Sequence, residues 1–226
     1  MTKIYFPSEG LAGWQRLLAD PEKHWRAGYS AMTLARCWEA ALGLPPEIAA
    51  MLAELGPTPE LLLALPEHKV PLRGSNRGDS QSDVFALVRT GERTIAVTVE
   101  GKVDEAFDRP VGEWLADASD GKRERLASIC DLLDLTQPLP GDVYYQLLHR
   151  TAAAIIEARR FKTDAACMIV HSFSPTGKWF DAFERFVALF GLKAEKGRLM
   201  AVRPNGSPPL YVGWATGDPQ FLVAPA

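Results

Sequence analysis

Two apolar runs, IAVTV at 95–99 and CMIVH at 167–171, both read as strands, and two helical patterns lie between them. Antiparallel neighbours can be joined by a tight turn. A strand–helix–strand succession lets its two strands pair in parallel through a crossover. A parallel pair in turn needs helices over its faces, so this succession points to a mixed α/β architecture with a central sheet flanked by helices.

The first of those strands has a nearer partner. DVFALVRT, a Gly91-Glu92 turn and RTIAVTVEGKV are most simply a hairpin. Ahead of it the chain reads as helical: 10–25, broken near Pro21; 29–42, capped by Ser30, with Met32, Leu34, Ala35, Trp38 and Leu42 as its stripe; 44–55, opening on prolines; and a short fourth helix over 58–65. The character changes at Val70, where the polar loop RGSNRGDSQS follows. Downstream, helices are expected over 120–134, over 142–160 behind an Asp142 cap, and over 178–190 with aromatics at helical spacing. LMAVRP and PLYVGWA form a second hairpin through Asn205-Gly206. The reading is one domain over 1–226, with a helical N-terminal segment at 1–66, a core at 70–175 and a C-terminal helix and hairpin at 176–226.

Composition narrows the function classes. A net charge of −3 and a hydrophobic content of 47% describe an ordinary globular chain. The balance argues against a non-specific nucleic-acid binder, although it leaves room for a local basic groove. LLLALP at 61–66 falls far short of the roughly 18 apolar residues a membrane span needs, and MTKIYFPSEG lacks a secretory apolar segment, so no membrane partner is expected. Cys37, Cys130 and Cys167 are scattered, which fits reduced thiols in a cytoplasm and gives no zinc-site spacing. HxH, HExxH, G-x-S-x-G and phosphate-cradling glycine patterns are all missing from the sequence.

An acidic-x-Lys triplet occurs three times, at Glu67-His68-Lys69, Glu100-Gly101-Lys102 and Asp120-Gly121-Lys122. The first follows Leu65-Pro66 at a helix-to-strand transition, and the third sits at a helix start, where an acid needs no further reason. Only the second closes a strong strand. Positions two apart share a strand face, so Glu100 and Lys102 point the same way. As an exposed ion pair they would contribute under about 1 kcal/mol. Asp83 opens the preceding strand, and the hairpin brings it beside Glu100. Two carboxylates so close repel unless a cation lies between them, and oxygen-only ligation favours Mg²⁺ or Mn²⁺.

SDVFALVRTGERTIAVTVEGKV resembles the core of the PD-(D/E)XK phosphodiesterase superfamily, the restriction-endonuclease-like fold, with Ser82 standing where the family name has proline. The resemblance implies a metal-dependent nuclease. Asp83, Glu100 and the Gly101 carbonyl would hold Mg²⁺ or Mn²⁺, and Lys102 would assist the attacking water. It also implies Gln146 and Glu39 as supporting site residues, although Glu39, beside Trp38, reads first as a solvated helix residue. Arg73 and Arg77 would contact backbone phosphates. The implied partner is nucleic acid, DNA ahead of RNA, and a homodimer is compatible with it. A non-catalytic nuclease-fold binding or assembly module is the alternative. His149, three residues after Gln146, would share its helix face, and His171 ends a strand where it is either structural or turned into a cleft.

Overall fold

The computed structural model describes residues 10–18, 20–74, 78–203 and 206–223. The chain opens on two short helices, Leu11–Leu17 (α1) and Pro21–His24 (α2), the second capped by the Asp20 side chain, which accepts from the Lys23 N–H. Helices Ser30–Ala40 (α3) and Pro46–Leu52 (α4) follow, and a 3₁₀ turn at Ala53–Leu55 ends the helical segment. Ser30 lies inside the first turn of α3; Tyr29 is the N-cap and has no capping side-chain bond.

The short helix expected over 58–65 is a strand instead. Glu60–Val70 (β1) pairs antiparallel along Ser80–Thr90 (β2), from Glu60↔Arg89 to Val70↔Ser80, with a bulge between Leu61 and Leu63. Leucines favour helix in isolation, but pairing and burial on a sheet override so weak a preference. Leu61 and Ala64 enter one core, while Leu63 and Leu65 pack against the other.

β2 turns through Gly91, at φ 57°, into Arg93–Lys102 (β3). Three helices then cross over: Val111–Leu115 (α5), Asp120–Leu133 (α6) and Tyr145–Phe161 (α7). Asp142 does not cap α7. Tyr144 is its N-cap, and the Asp142 carboxylate instead meets Arg185 at 3.5 Å. Likewise Ser119, not Asp120, caps α6, accepting from the Lys122 N–H.

Ala165–Ser172 (β4) returns parallel to β3, in register from Ile95↔Ala165 to Lys102↔Ser172. Helix Phe180–Ala188 (α8), strands Leu199–Arg203 (β5) and Leu210–Thr216 (β6), and a 3₁₀ turn at Pro219–Leu222 complete the described chain. β5 and β6 are the antiparallel pair expected; Asn205 lies outside the described residues. The result is a mixed α/β fold with a six-stranded sheet in the order β1-β2-β3-β4-β6-β5.

Each sheet face carries its own core. On one side Phe85, Ala96, Met168 and Val170 meet α6, α7 and α8. On the other Val97, Val99, Cys167 and Ile169 meet α3 and α4. All eight residues of β4 are buried, as a parallel strand covered on both faces requires. Among the described residues no helix is long and apolar enough to cross a membrane.

Candidate functional site

The β2–β3 ladder ends at Val84↔Val99, so Asp83 and Glu100 come next in register beyond the last pair. Asp83 bridges the gap: its Oδ2 accepts from the Gly101 N–H at 2.7 Å. In an extended strand the N–H and C=O of one residue point to the same edge, so the Gly101 carbonyl faces the Asp83 side as well. Lys102, two residues beyond Glu100, shares its face, and Nζ donates to Glu100 Oε1 at 2.6 Å. Both side chains are enclosed, with Glu100 2% and Lys102 4% exposed. The surface ion pair that the triplet alone would suggest is therefore a buried one.

Helix α7 supplies the rest. Gln146 and Arg150 are one turn apart on the face above β3. Gln146 Nε2 donates to Glu100 Oε1 at 2.8 Å and Arg150 Nε to Glu100 Oε2 at 2.6 Å. Thr98 anchors the helix there by donating to the Arg150 carbonyl at 3.0 Å. From β1, Glu67 joins the cluster; its backbone is left-handed at φ 53°, and its Oε2 accepts from Gln81 Nε2 at 2.7 Å. A non-glycine residue held in that region within a strand is strained, and such strain collects at functional sites.

Asp83, Glu67, Glu100, Lys102, Gln146 and Arg150 all line one cavity of about 830 Å³. Exposed Lys23, His24, Arg26 and Tyr29 line the same cavity. Burial, reinforced by the Glu100 charge, pushes the Asp83 carboxyl up to about 7. Burial and then the Asp83 charge push Glu67 up to about 8. Burial works against the charge on Glu100 as well, but the Lys102 and Arg150 cations outweigh it and hold that carboxyl below its usual range. Three carboxylates thus face two cations, and the proton is retained where no cation touches.

Asp83, Glu100, Lys102 and Gln146 are brought together as the sequence pattern indicates. Glu39 is not with them. Its Oε1 accepts from Trp14 Nε1 at 2.7 Å, and it borders a separate hollow beside Arg36 and Phe221. Arg73 is exposed and does not line the cavity, and Arg77 lies outside the described residues. His149 does not line this cavity: its Nδ1 lies 2.8 Å from Ser80 Oγ, and it borders a separate hollow with Arg125 and Tyr145. His171 faces Glu47 across the sheet rather than this cavity.

The spacing of Arg150, four residues after Gln146 on a helix, was a usable signal for its place at the site. Glu67 carried one too, as the first acidic-x-Lys triplet, but only with β1 recognised as a strand. Lys23, His24 and Arg26 had none, because they reach the cavity through the packing of α2.

Fold and site together describe a mixed α/β protein with a buried acid–base cluster at the end of its central hairpin. The chain belongs to DUF6946, a family of domains of unknown function, whose family model matches residues 7–219. Neither the curated proteins nor the solved structures provide a match.

Proposed function

We propose that this protein is a metal-dependent phosphodiesterase acting on nucleic acid, with a restriction-endonuclease-like core. One observation carries the reading: Asp83 and the Glu100–Lys102 pair, from adjacent strands, line one cavity wall together with Gln146 of the crossover helix. The order β1-β2-β3-β4, with β4 parallel to β3, agrees with the succession of elements that the resemblance implies.

The donor chemistry fits a hard cation. One oxygen of Asp83 and one of Glu67 have no hydrogen-bond partner among the described residues, and burial raises the proton affinity of both carboxyls, protons that a cation would displace. Asp83, Glu67 and the Gly101 carbonyl would hold Mg²⁺ or Mn²⁺, with Glu100 joining as Lys102 or Arg150 swings aside. The ion would acidify a bound water and offset charge on the phosphate. Lys102 would keep its ammonium beside that water. Lys23, Arg26 and Tyr29, which line the same cavity, would receive the phosphate backbone and a base, which moves this role away from Arg73.

Arg150 favours a second reading. Its guanidinium occupies Glu100 Oε2 at 2.6 Å, standing where a divalent ion would compete, as expected of a non-catalytic module that binds nucleic acid without cutting it.

Calorimetry with Mg²⁺ and Mn²⁺ on the wild type, Asp83→Asn and Glu100→Ala, followed by cleavage of mixed single- and double-stranded DNA, decides between them. The expected result is binding in the wild type and its loss in both variants, with folding checked by circular dichroism. DNA binding without metal binding or cleavage selects the module. Binding of neither metal nor DNA by the folded wild type overturns both readings.

A further inference from the structure

On the opposite face of the sheet, two donor groups from the N-terminal helices meet a third from the end of β4. Cys37 comes from α3, Glu47 from the first turn of α4 and His171 from the end of β4; Cys37 is 2% and His171 0% exposed. Their ligand atoms all lie within 4.8 Å of one another. His171 Nε2 is 2.6 Å from Glu47 Oε1, and Cys37 Sγ donates to the same oxygen at 3.7 Å. We propose that Cys37, Glu47 and His171 bind one Zn²⁺ ion, clasping α3 and α4 to the end of β4.

The geometry is close to what that ion needs. With Zn–S near 2.3 Å and Zn–N and Zn–O near 2.0 Å, a tetrahedral site has a sulfur–oxygen edge of about 3.5 Å and a nitrogen–oxygen edge of about 3.3 Å. The first edge stands at 3.7 Å and closes by about 0.2 Å, the second requires His171 and Glu47 to part by about 0.7 Å, and the sulfur–nitrogen edge, within 4.8 Å, settles at about 3.5 Å. A thiolate–imidazole–carboxylate set selects Zn²⁺ over Mg²⁺, the reverse of the oxygen-only cluster around Asp83.

Gly217 runs close over the Phe173 and His171 rings: an added Cβ would collide with Phe173 Cε1 and lie 2.9 Å from His171 Nε2, so the glycine keeps both rings free of a side chain. His171 Nδ1 is buried with no hydrogen-bond partner among the described residues, so the Nε2 contact to Glu47 is the polar contact the ring makes there. A metal bond at Nε2 would give the buried ring a ligand role, with Nδ1 left as an unpartnered N–H. On binding, the Cys37 S–H bond breaks, a Zn–S bond forms and one proton leaves to solvent; the Nε2 proton shifts to Nδ1. His171 lies 124 positions beyond Glu47, which is why no zinc spacing is visible in the sequence.

Chelator-treated protein titrated with Co²⁺ and then with Zn²⁺ tests the site. One equivalent of Co²⁺ is expected to give a thiolate-to-metal charge-transfer band in the near ultraviolet, which Zn²⁺ removes. Cys37→Ser abolishes the band, while Cys130→Ser, Cys167→Ser and Asp83→Asn leave it intact. Glu47→Gln, at a side chain 21% exposed, weakens Zn²⁺ binding at least about tenfold. A folded wild type without the band, a band surviving in Cys37→Ser, or unchanged affinity in Glu47→Gln overturns the proposal. Should Cys37→Ser fail to fold, the Glu47→Gln affinity decides alone.

Discussion

A carboxylate with 2% of its surface exposed stays ionised only when its lone pairs are filled, and Glu100 has three donors arranged to do so. Lys102 arrives by strand alternation, Gln146 and Arg150 by helical spacing, so each is set by local periodicity once the β3–α7 contact exists. Arg150 is the one whose loss leaves the largest imbalance, because its guanidinium is 8% exposed and raised above its ordinary pKa by Glu100 and Asp83 against the opposing effect of burial. Removing one partner of a buried pair strands the other's charge. Arg150→Met is therefore expected to cost about 3–5 kcal/mol in urea unfolding, and adding Glu100→Gln to recover most of it. A loss under about 1 kcal/mol would mean that the pair behaves as a solvated surface pair. The same variant bears on catalysis. If Arg150 stands in for a cation, Mg²⁺ binds Arg150→Met more tightly than it binds the wild type.

At the scale of elements, the contact that aims the site is α3 against β3. A Cβ added to Gly101 would sit 3.2 Å from Leu34 Cδ2 and 3.3 Å from Asp83 Oδ2. The glycine eases this close approach, since an added methyl group would make Leu34 and Asp83 give way by a few tenths of an ångström. Gly101→Ala is expected to lose about 1–3 kcal/mol in thermal or urea unfolding. In a Leu34→Ala background the added loss is smaller, since the cavity accepts the methyl group; purely additive losses would contradict the packing account. Periodicity made most of this layer legible: the hairpin, the parallel return of β4 and the helices α3, α6 and α7 follow from runs of one repeat. β1 was hidden because leucine-rich sequence with period 2 over a few residues is compatible with either element until pairing decides. Losing β1 concealed Glu67, and reading Asp142 as a cap misplaced the start of α7 by a few residues. Glu39 was misassigned for another reason: sequence shows that an acid lies on α3 but not which hollow its face meets.

Over the whole molecule, the two raised carboxyls couple site chemistry to global stability. Unfolded Asp and Glu release their protons near pH 4, whereas Asp83 and Glu67 retain theirs in the fold to about 7 and about 8. The native state therefore binds more protons than the unfolded chain across that interval. This contribution to stability is complete below about pH 4 and is lost as pH rises through 7 to 8. The carboxyls share one cluster, so they titrate as a pair. His149 and His171 act with the opposite sign. Burial, aided at His149 by Arg150 and opposed at His171 by Glu47, lowers both below the ordinary imidazole value, so they favour the fold increasingly as pH rises. That gain saturates above the unfolded value near 6.5. Between about pH 6.5 and 8 the carboxyls alone remain, and urea midpoints are expected to fall for the wild type across this range. Glu67→Gln removes one of the two titrations and flattens the decline, with a partial effect because Asp83 still loses its proton. Mg²⁺ at the cluster has the same flattening effect, since the cation replaces the protons that the carboxyls would otherwise hold. Parallel declines in wild type and Glu67→Gln would show that the pH response arises outside this cluster. The buried charge then would be structural, and the cavity above it would lose its strongest claim to chemistry.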